Sequence, residues 1–347
     1  MLRIWLRGCC MTGWLSLALL SSTQAQQLGL LTGSPTGTDY RVGQDIAAAT
    51  INSGLEVVVK ESDGSVDNIR RLVSQENAAL AIVQSDVLGF LNWSSDPAAQ
   101  RIASQLRLVF PFYDEEVHVL ARKSIQRFSD LGGKRVVVGT KGSGNWMTAR
   151  HMLHLLQLEP AEVIDDLAPP EAVYAVLIGK ADAMFYVAGK PVTLFTNMQD
   201  LAQDPRYTDL LQNVHFVPLQ EAQLLKTYSA ASIGPDDYAW LSNTVPTIAI
   251  KAVLISFDFS QGQTPYSRTR CAQLATLSRA LYQHLDALQR TGHPKWKEVD
   301  LTRRISIWRR DTCSQAVRRD LTRDDPVQQH LNTMLNGQRE RQPQGGP

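Results

Sequence analysis

Leu28-Gly-Leu-Leu-Thr-Gly-Ser-Pro-Thr-Gly-Thr-Asp-Tyr-Arg-Val-Gly-Gln-Asp-Ile-Ala-Ala-Ala-Thr-Ile51 reads as strand, glycine-rich loop and helix. Leu28 to Leu31 is a short apolar run, and Thr32 to Thr38 concentrates small residues and Pro35 in one turn. From Tyr40 onward Val42, Ile46 and Ala49 recur at helical spacing. A strand that empties into a helix start leaves backbone N–H groups unpaired, and the helix dipole adds partial positive charge there. Such an end suits an anion without any charged side chain. The competing reading of one such turn is a plain strand-to-helix connection with no ligand.

The pattern repeats downstream. Leu55 to Lys60 is a β-branched strand running into Ser62, Ser65 and the stripe Val66, Ile69, Leu72, Val73. Ala78 to Val83 is a third strand, followed by Gln84-Ser-Asp86 and a helix over Val87 to Trp93. Arg107 to Phe110 and Val117 to Ala121 read as two further strands around Pro111 to Glu116. Ile125 to Leu131 opens as a helix, and Lys134 to Gly139 is a buried strand. That strand empties into Gly142-Ser-Gly144, ahead of an amphipathic helix over Met147 to Leu158. Further on come a helix at Glu171 to Ile178, a strand at Ala181 to Val187 and a helix at Val192 to Leu201. Strands follow at Val214 to Leu219 and Thr247 to Ser256, then a long helical pattern from Arg270 to Leu288.

Alternating strands and helices predict an α/β fold with a mostly parallel sheet, whose ligands sit beyond the carboxyl ends of the strands. Two groups of small-residue junctions, one before about residue 95 and one at 139–147, suggest two lobes facing a shared cleft. Val117–Ala121 and Thr247–Ser256 are the natural crossovers, which makes the first lobe discontinuous. The expected division is 26–117 with 253–335 for lobe one and 118–252 for lobe two.

The chain has 347 residues, 44% hydrophobic and 20% charged, which suits a globular protein of two domains. A net charge of +1 excludes a nucleic-acid partner held by a broad basic field. Arg3 and Arg7, the apolar stretch Met11 to Leu20 and the small residues Ser21 to Ala25 have the order of a secretory signal, cleaved after Ala25. Residues 336–347 read as a disordered polar tail. Cys9 and Cys10 leave with the signal. Cys271 and Cys313 remain, and two cysteines in an oxidising compartment are expected to pair.

The order and spacing of these motifs resemble the TAXI-type solute receptors of TRAP transporters, which are periplasmic binding proteins of the type II two-lobe fold. The similarity runs from about Leu31 to about Ser256. Its carriers are Thr32-Gly33 through Gly37-Thr38 and Tyr40, Asp63-Gly-Ser-Val-Asp-Asn-Ile69 and Leu80-Ala-Ile-Val-Gln-Ser-Asp86. To these add Phe110 to Ala121, Leu131 to Gly139 with Gly142-Ser-Gly144, and Gly179 to Pro191. The resemblance implies a monomeric receptor that closes on a small anionic solute (a dicarboxylate, keto acid or amino acid) and delivers it to a TRAP-type membrane permease. Carried over position by position, the implied ligand set is Thr32, Gly33, Tyr40, Ser65, Gln84, Ser85, Ser143 and Gly144, with Tyr186 as a pocket wall. Two positions depart from the pattern. Asp39 stands where the family favours an aromatic, and an inward carboxylate there would repel an anion. Ser62-Asp63 replaces the Thr-Thr common before the Gly-Ser-Val turn.

Other residues support enzymatic readings less well. His151 and His154 lie three apart on one helix without a third ligand at suitable spacing. Glu115 and Glu116 are adjacent on a strand and point to opposite faces. Ser143 lacks the G-x-S-x-G elbow because Lys141 replaces its first glycine. Lys141 and Arg41 read as solvated charges. No catalytic residue, metal or cofactor is therefore expected. The alternatives are a periplasmic sensor that signals solute to a membrane partner and, less favoured, an enzyme on the same fold.

Overall fold

A computed structural model describes residues 26–74, 78–205 and 207–323, so the signal and tail expectations lie outside the described residues. The elements run β1 (Gln26–Leu31), α1 (Thr38–Thr50), β2 (Leu55–Lys60), α2 (Ser65–Val73), β3 (Leu80–Gln84), α3 (Val87–Trp93), α4 (Pro97–Gln105) and β4 (Leu106–Arg122). Then come β5 (Arg135–Val137), α5 (Gly144–Leu155), β6 (Glu162–Ile164), α6 (Pro169–Leu177) and β7 (Ala183–Ala188). Three short helices follow, α7 (Thr193–Thr196), α8 (Met198–Gln203) and α9 (Thr208–Gln212). The chain continues through β8 (Val214–Phe216), β9 (Ser229–Ile233), β10 (Val245–Phe257), α10 (Pro265–Thr291) and α11 (Thr312–Arg323).

The strands pair in the order β2-β1-β3-β10-β4-β7-β5-β6, with β8 added on β4 and β9 on β10. β1 is parallel to β2 and β3, and β5 is parallel to β6 and β7. Between these parallel groups run two long antiparallel strands, β4 and β10, which belong to both. β10 pairs with β3 over Ala252–Ile255 and with β9 over Val245–Ala249. β4 pairs with β7 only from Glu116 onward. The sheet therefore changes neighbours near residues 114–116 and 249–252. Four apolar clusters cover its faces. Leu28, Leu30 and Phe110 meet Trp296 in one, and Leu31, Val83 and Ile255 meet Trp308 in a second, both on the β1–β3 side. The β5–β7 side has its own pair, around Val136, Met152 and Phe185 and around Val176, Phe195 and Phe216. Two cores on one mixed sheet make a two-lobe α/β protein.

The alternation of faces explains β1: Leu28 and Leu30 enter one core and Leu31 the other, so the strand reads as a continuous apolar run. Several expectations are corrected. The sheet is mixed rather than mostly parallel, because the two long crossover strands β4 and β10 run antiparallel to their neighbours. Arg107–Phe110 and Val117–Ala121 are not two strands but the ends of the single 17-residue β4, which passes through Pro111. A ladder irregularity between Lys251/Val253 lies beside it. Proline lacks an N–H, and such a break in the ladder is where it fits. The Val192–Leu201 helix is divided between α7 and α8, and the Lys134–Gly139 strand shortens to β5. The helix after the Gly-Ser-Gly turn starts at Gly144 rather than Met147. Cys271 of α10 and Cys313 are bonded, with Cα atoms 5.3 Å apart.

Candidate functional site

The carboxyl ends of β1 and β3 and the starts of α1, α2 and α5 converge where the two halves meet. The expected ligand residues are there, but several are already engaged. Thr32 is fully buried, and its Oγ1 donates to the Lys60 carbonyl at 2.9 Å. Its own carbonyl accepts from Ser62 Oγ at 2.9 Å and from Asn68 Nδ2 at 2.6 Å. Ser65 Oγ accepts the Gln84 N–H at 3.0 Å, which ties the start of α2 to the end of β3. Ser143 caps α5 by accepting the Trp146 N–H at 3.1 Å. Ser85 is held through its backbone, donating to the Lys251 carbonyl at 2.8 Å and accepting from the Trp308 indole at 2.9 Å. Thr32 therefore spends its hydroxyl proton on the Lys60 carbonyl, whereas Ser65 and Ser143 act as acceptors in these bonds and each keeps an O–H to donate. α1 and α2 differ, since Gly37 and Gly64 provide no side-chain cap. Tyr40 sits partly exposed in the first turn of α1, and Tyr186 packs edge-on against Phe195 with ring centres 5.7 Å apart.

The halves touch directly. A Cβ on Gly144 would lie 2.5 Å from Gln84 Oε1, and one on Gly64 would lie 2.9 Å from the Gly144 nitrogen. Both positions need glycine for this close approach. Thr148 of α5 donates to Gln84 Oε1 (3.2 Å) or to Asp86 Oδ2 (2.9 Å). The Tyr228 hydroxyl donates to Asp86 Oδ2 at 3.1 Å and lies 3.1 Å from His151 Nδ1. Asp86 is 2% exposed, so these donors are its replacement for water. His151 fills the space beside Gly89, and Trp93 of α3 stacks on His154 of α5 at 4.1 Å. The two histidines thus serve different contacts. Among the described residues no three His, Cys, Asp or Glu side chains form a metal-holding group. Sequence reasoning missed Asp86, Thr148 and Tyr228 as a set, because no motif spacing links residues so far apart in the chain.

Two carboxylates stand at the same crevice. Asp39, in the first turn of α1, accepts a short hydrogen bond from the Tyr113 hydroxyl. Burial raises its pKa to about 6, against the lowering effect of that hydrogen bond. Glu115 is 6% exposed and accepts from Gln84 Nε2 at 2.9 Å. Burial pushes its carboxyl well above the usual range, and the neighbouring Asp39 charge pushes the same way. Glu116 points elsewhere, taking the Lys190 N–H at 2.8 Å and facing Lys295 Nζ at 3.4 Å. This is the opposite-face placement that strand geometry predicts. Lys295 is also held by Glu298 at 2.8 Å. An open groove of about 750 Å³ lies apart from this crevice, along α5, lined by Trp93, Arg150, His154 and Val163 among others.

Two lobes on crossover strands, with helix starts and strand ends meeting at their junction, define the class by its architecture: a two-lobe α/β protein built on one mixed sheet. Within that class the chain belongs to the NMT1-like family, whose profile matches residues 30–302. It is similar in structure to a histidine kinase sensor domain described as similar to periplasmic binding proteins. That match has 14% identity and a TM-score of 0.45, covering 80% of this chain and 98% of the other. It is also similar to the GluR0 ligand-binding core from Nostoc punctiforme in complex with L-glutamate, at 16% identity and a TM-score of 0.43, covering 78% and 95%. A third similar structure is ArtJ of Geobacillus stearothermophilus, an arginine-, lysine- and histidine-binding protein. There the identity is 12% and the TM-score 0.43, covering 78% and 94%. Among the described residues no helix is long and apolar enough to cross a membrane.

Proposed function

We propose that the protein is an extracytoplasmic solute receptor that works by hinge closure and passes its solute to a TRAP-type permease. The lobes are taken as 26–117 with 253–335 and 118–252, joined by β4 and β10, and the protein acts as a monomer. The observation that carries the reading is the contact of Gln84 with Gly144 and Thr148, which bridges the two groups of strand ends. A solute trapped beneath that contact binds the closed form better than the open one and shifts the population toward it. The uncapped starts of α1 and α2 offer N–H groups to a carboxylate, as carried by a dicarboxylate, keto acid or amino acid. Thr32, Gly33, Tyr40, Ser65, Gln84, Ser85, Ser143 and Gly144 are the residues assigned to the site, with Tyr186 as a wall. The secretory order of residues 1–25 supports the periplasm as the compartment.

The test is a thermal-shift screen of ligand-free protein against small carboxylates, amino acids and amines, followed by small-angle scattering on hits. A receptor gains melting temperature with a hit and becomes more compact. A hit that leaves the scattering curve unchanged removes hinge closure. A sensor would close in the same way. Co-purification of the solute-loaded protein with a multi-span permease separates transport from signalling.

A further inference from the structure

Asp86 stands at the start of α3, where β3 of the first half ends, and it is 2% exposed. The donors that reach its Oδ2 come from the other half of the molecule. They are the Thr148 hydroxyl of α5, at 2.9 Å, and the Tyr228 hydroxyl, at 3.1 Å. The other acceptor open to Thr148, Gln84 Oε1 at 3.2 Å, also lies across the junction. Tyr228 is packed in the apolar cluster around Val136, Met152 and Phe185 on the β5–β7 side. Burial and the Asp86 charge hold its pKa well above the usual 10, so the hydroxyl keeps its proton and donates it. His151 Nδ1 lies 3.1 Å from that hydroxyl but 3.8 Å from Asp86 Oδ2, so it backs the tyrosine and does not bond the carboxylate. Apolar contacts surround this centre. Met147 of α5 is fully buried in the cluster that holds Val87 and Leu88 of α3, and Phe90 meets Trp146 edge-on with ring centres 5.6 Å apart. Asp86 Oδ1 has no hydrogen-bond partner among the described residues. A buried carboxylate served at one oxygen is only half satisfied, and parting the two halves would give the other oxygen to water.

We propose that Asp86, Thr148 and Tyr228 form a reversible latch between the halves, which sets the balance of closed and open forms before any solute binds. The inference rests on the hinge-closure reading above and adds what holds the closed form together. Two hydrogen bonds to one carboxylate, ringed by Met147, Phe90 and Trp146, favour closure. The unserved Oδ1 favours opening, so the latch is released without a large barrier of lost bonds. Thr148 and Tyr228 are positioning residues. The apparent affinity of a solute that needs the closed form scales with the fraction already closed, and these two hydroxyls set that fraction.

The experiment is small-angle scattering of the purified protein, freed of any co-purified solute by dialysis from urea. Wild type is compared with Tyr228→Phe, Thr148→Val and the double variant, each of which removes a hydroxyl and keeps the bulk of the side chain. Each single variant should lower the ratio of closed to open protein roughly ten-fold, the worth of a hydrogen bond to a charged group, and the radius of gyration should rise accordingly. The double variant should be the most open. Cooperative melting and an unchanged circular dichroism spectrum show that both halves remain folded. Should Tyr228→Phe not fold, Thr148→Val carries the test by itself. A lower melting temperature with the wild-type radius in every folded variant would overturn the inference, since a merely structural role loses stability without parting the halves. No solute enters this measurement. Silence in the thermal-shift screen therefore counts against the receptor reading alone, and an unmoved radius counts against the latch alone.

Discussion

Asp39 decides most at the scale of single residues. It sits in the first turn of α1, where the helix dipole favours a negative charge, yet burial raises its pKa from 3.8 to about 6. A carboxyl whose folded pKa is raised contributes stability in its protonated form. That contribution is complete below the unfolded pKa and is lost as pH rises through about 6. Asp39→Asn should therefore be more stable than wild type at pH 8, by on the order of 2–3 kcal/mol for a shift of about two units. The gap should close as pH falls through 6 toward 4, which urea denaturation at several pH values measures. A uniform loss at every pH would mean that the bond to Tyr113 matters and the charge does not. His118 responds oppositely. It is buried, with Nε2 2.8 Å from the Tyr238 hydroxyl, and burial lowers its pKa to about 4. Its neutral form supports the fold above the unfolded value of 6.5, and that support is lost as pH falls to 4. NMR titration should show an imidazole that stays neutral through pH 5.

Among the elements, α10 and α11 are joined by Cys271–Cys313, which closes a span of 42 residues. Constraint of the unfolded chain over such a loop is worth about 4 kcal/mol in the chain-entropy account. The double variant Cys271→Ser, Cys313→Ser should lose roughly 2–4 kcal/mol by chemical denaturation. Unreduced, denatured wild type should show neither thiol free. The start of α5 makes a different case. Ser143 accepts the Trp146 N–H, so Ser143→Ala should cost about 1 kcal/mol of stability, the usual worth of an N-cap. A loss of solute affinity on top of that would assign its remaining O–H to the ligand. The elements that escaped sequence reading share a physical reason. β6 has three residues, and β9, Ser229–Ile233, is mostly Ser and Ala with a single large apolar side chain. Neither carries a hydrophobic period, and both exist because an edge of an already formed sheet offers them backbone partners.

For the whole molecule the issue is the closeness of the lobes. Gly144 lies where any side chain would meet Gln84 Oε1, and its backbone is not in the left-handed region that only glycine tolerates well. Gly144→Ala should therefore leave each lobe intact while holding the halves apart. Scattering should report a larger radius of gyration, and solute affinity should fall several-fold. Unchanged dimensions would mean that the Gln84 amide simply swings aside. Gly64→Ala is a poorer probe, because a φ of +113° strains any other residue whatever the lobes do.

The local sequence determined the strand–turn–helix units, their cores and the two-lobe plan, because buried parallel strands and capped helices write period and composition into contiguous residues. Leu28 to Leu31, Leu80 to Val83 and the Gly-Ser-Gly turn each announce themselves within a few positions. The stretch from Thr32 to Tyr40 announced a strand-to-helix turn, but not what its polar groups bond. Which polar groups remain free at a crevice depends on what each has already bonded, and those partners come from remote parts of the chain. Thr32 spends its hydroxyl on Lys60, Gln84 meets Glu115 and Thr148, and Tyr113 reaches Asp39 only because β4 crosses the foot of α1. Tertiary structure decided which of these groups donate, which accept and to whom, since hydrogen-bond accounting closes only when every neighbour is in place.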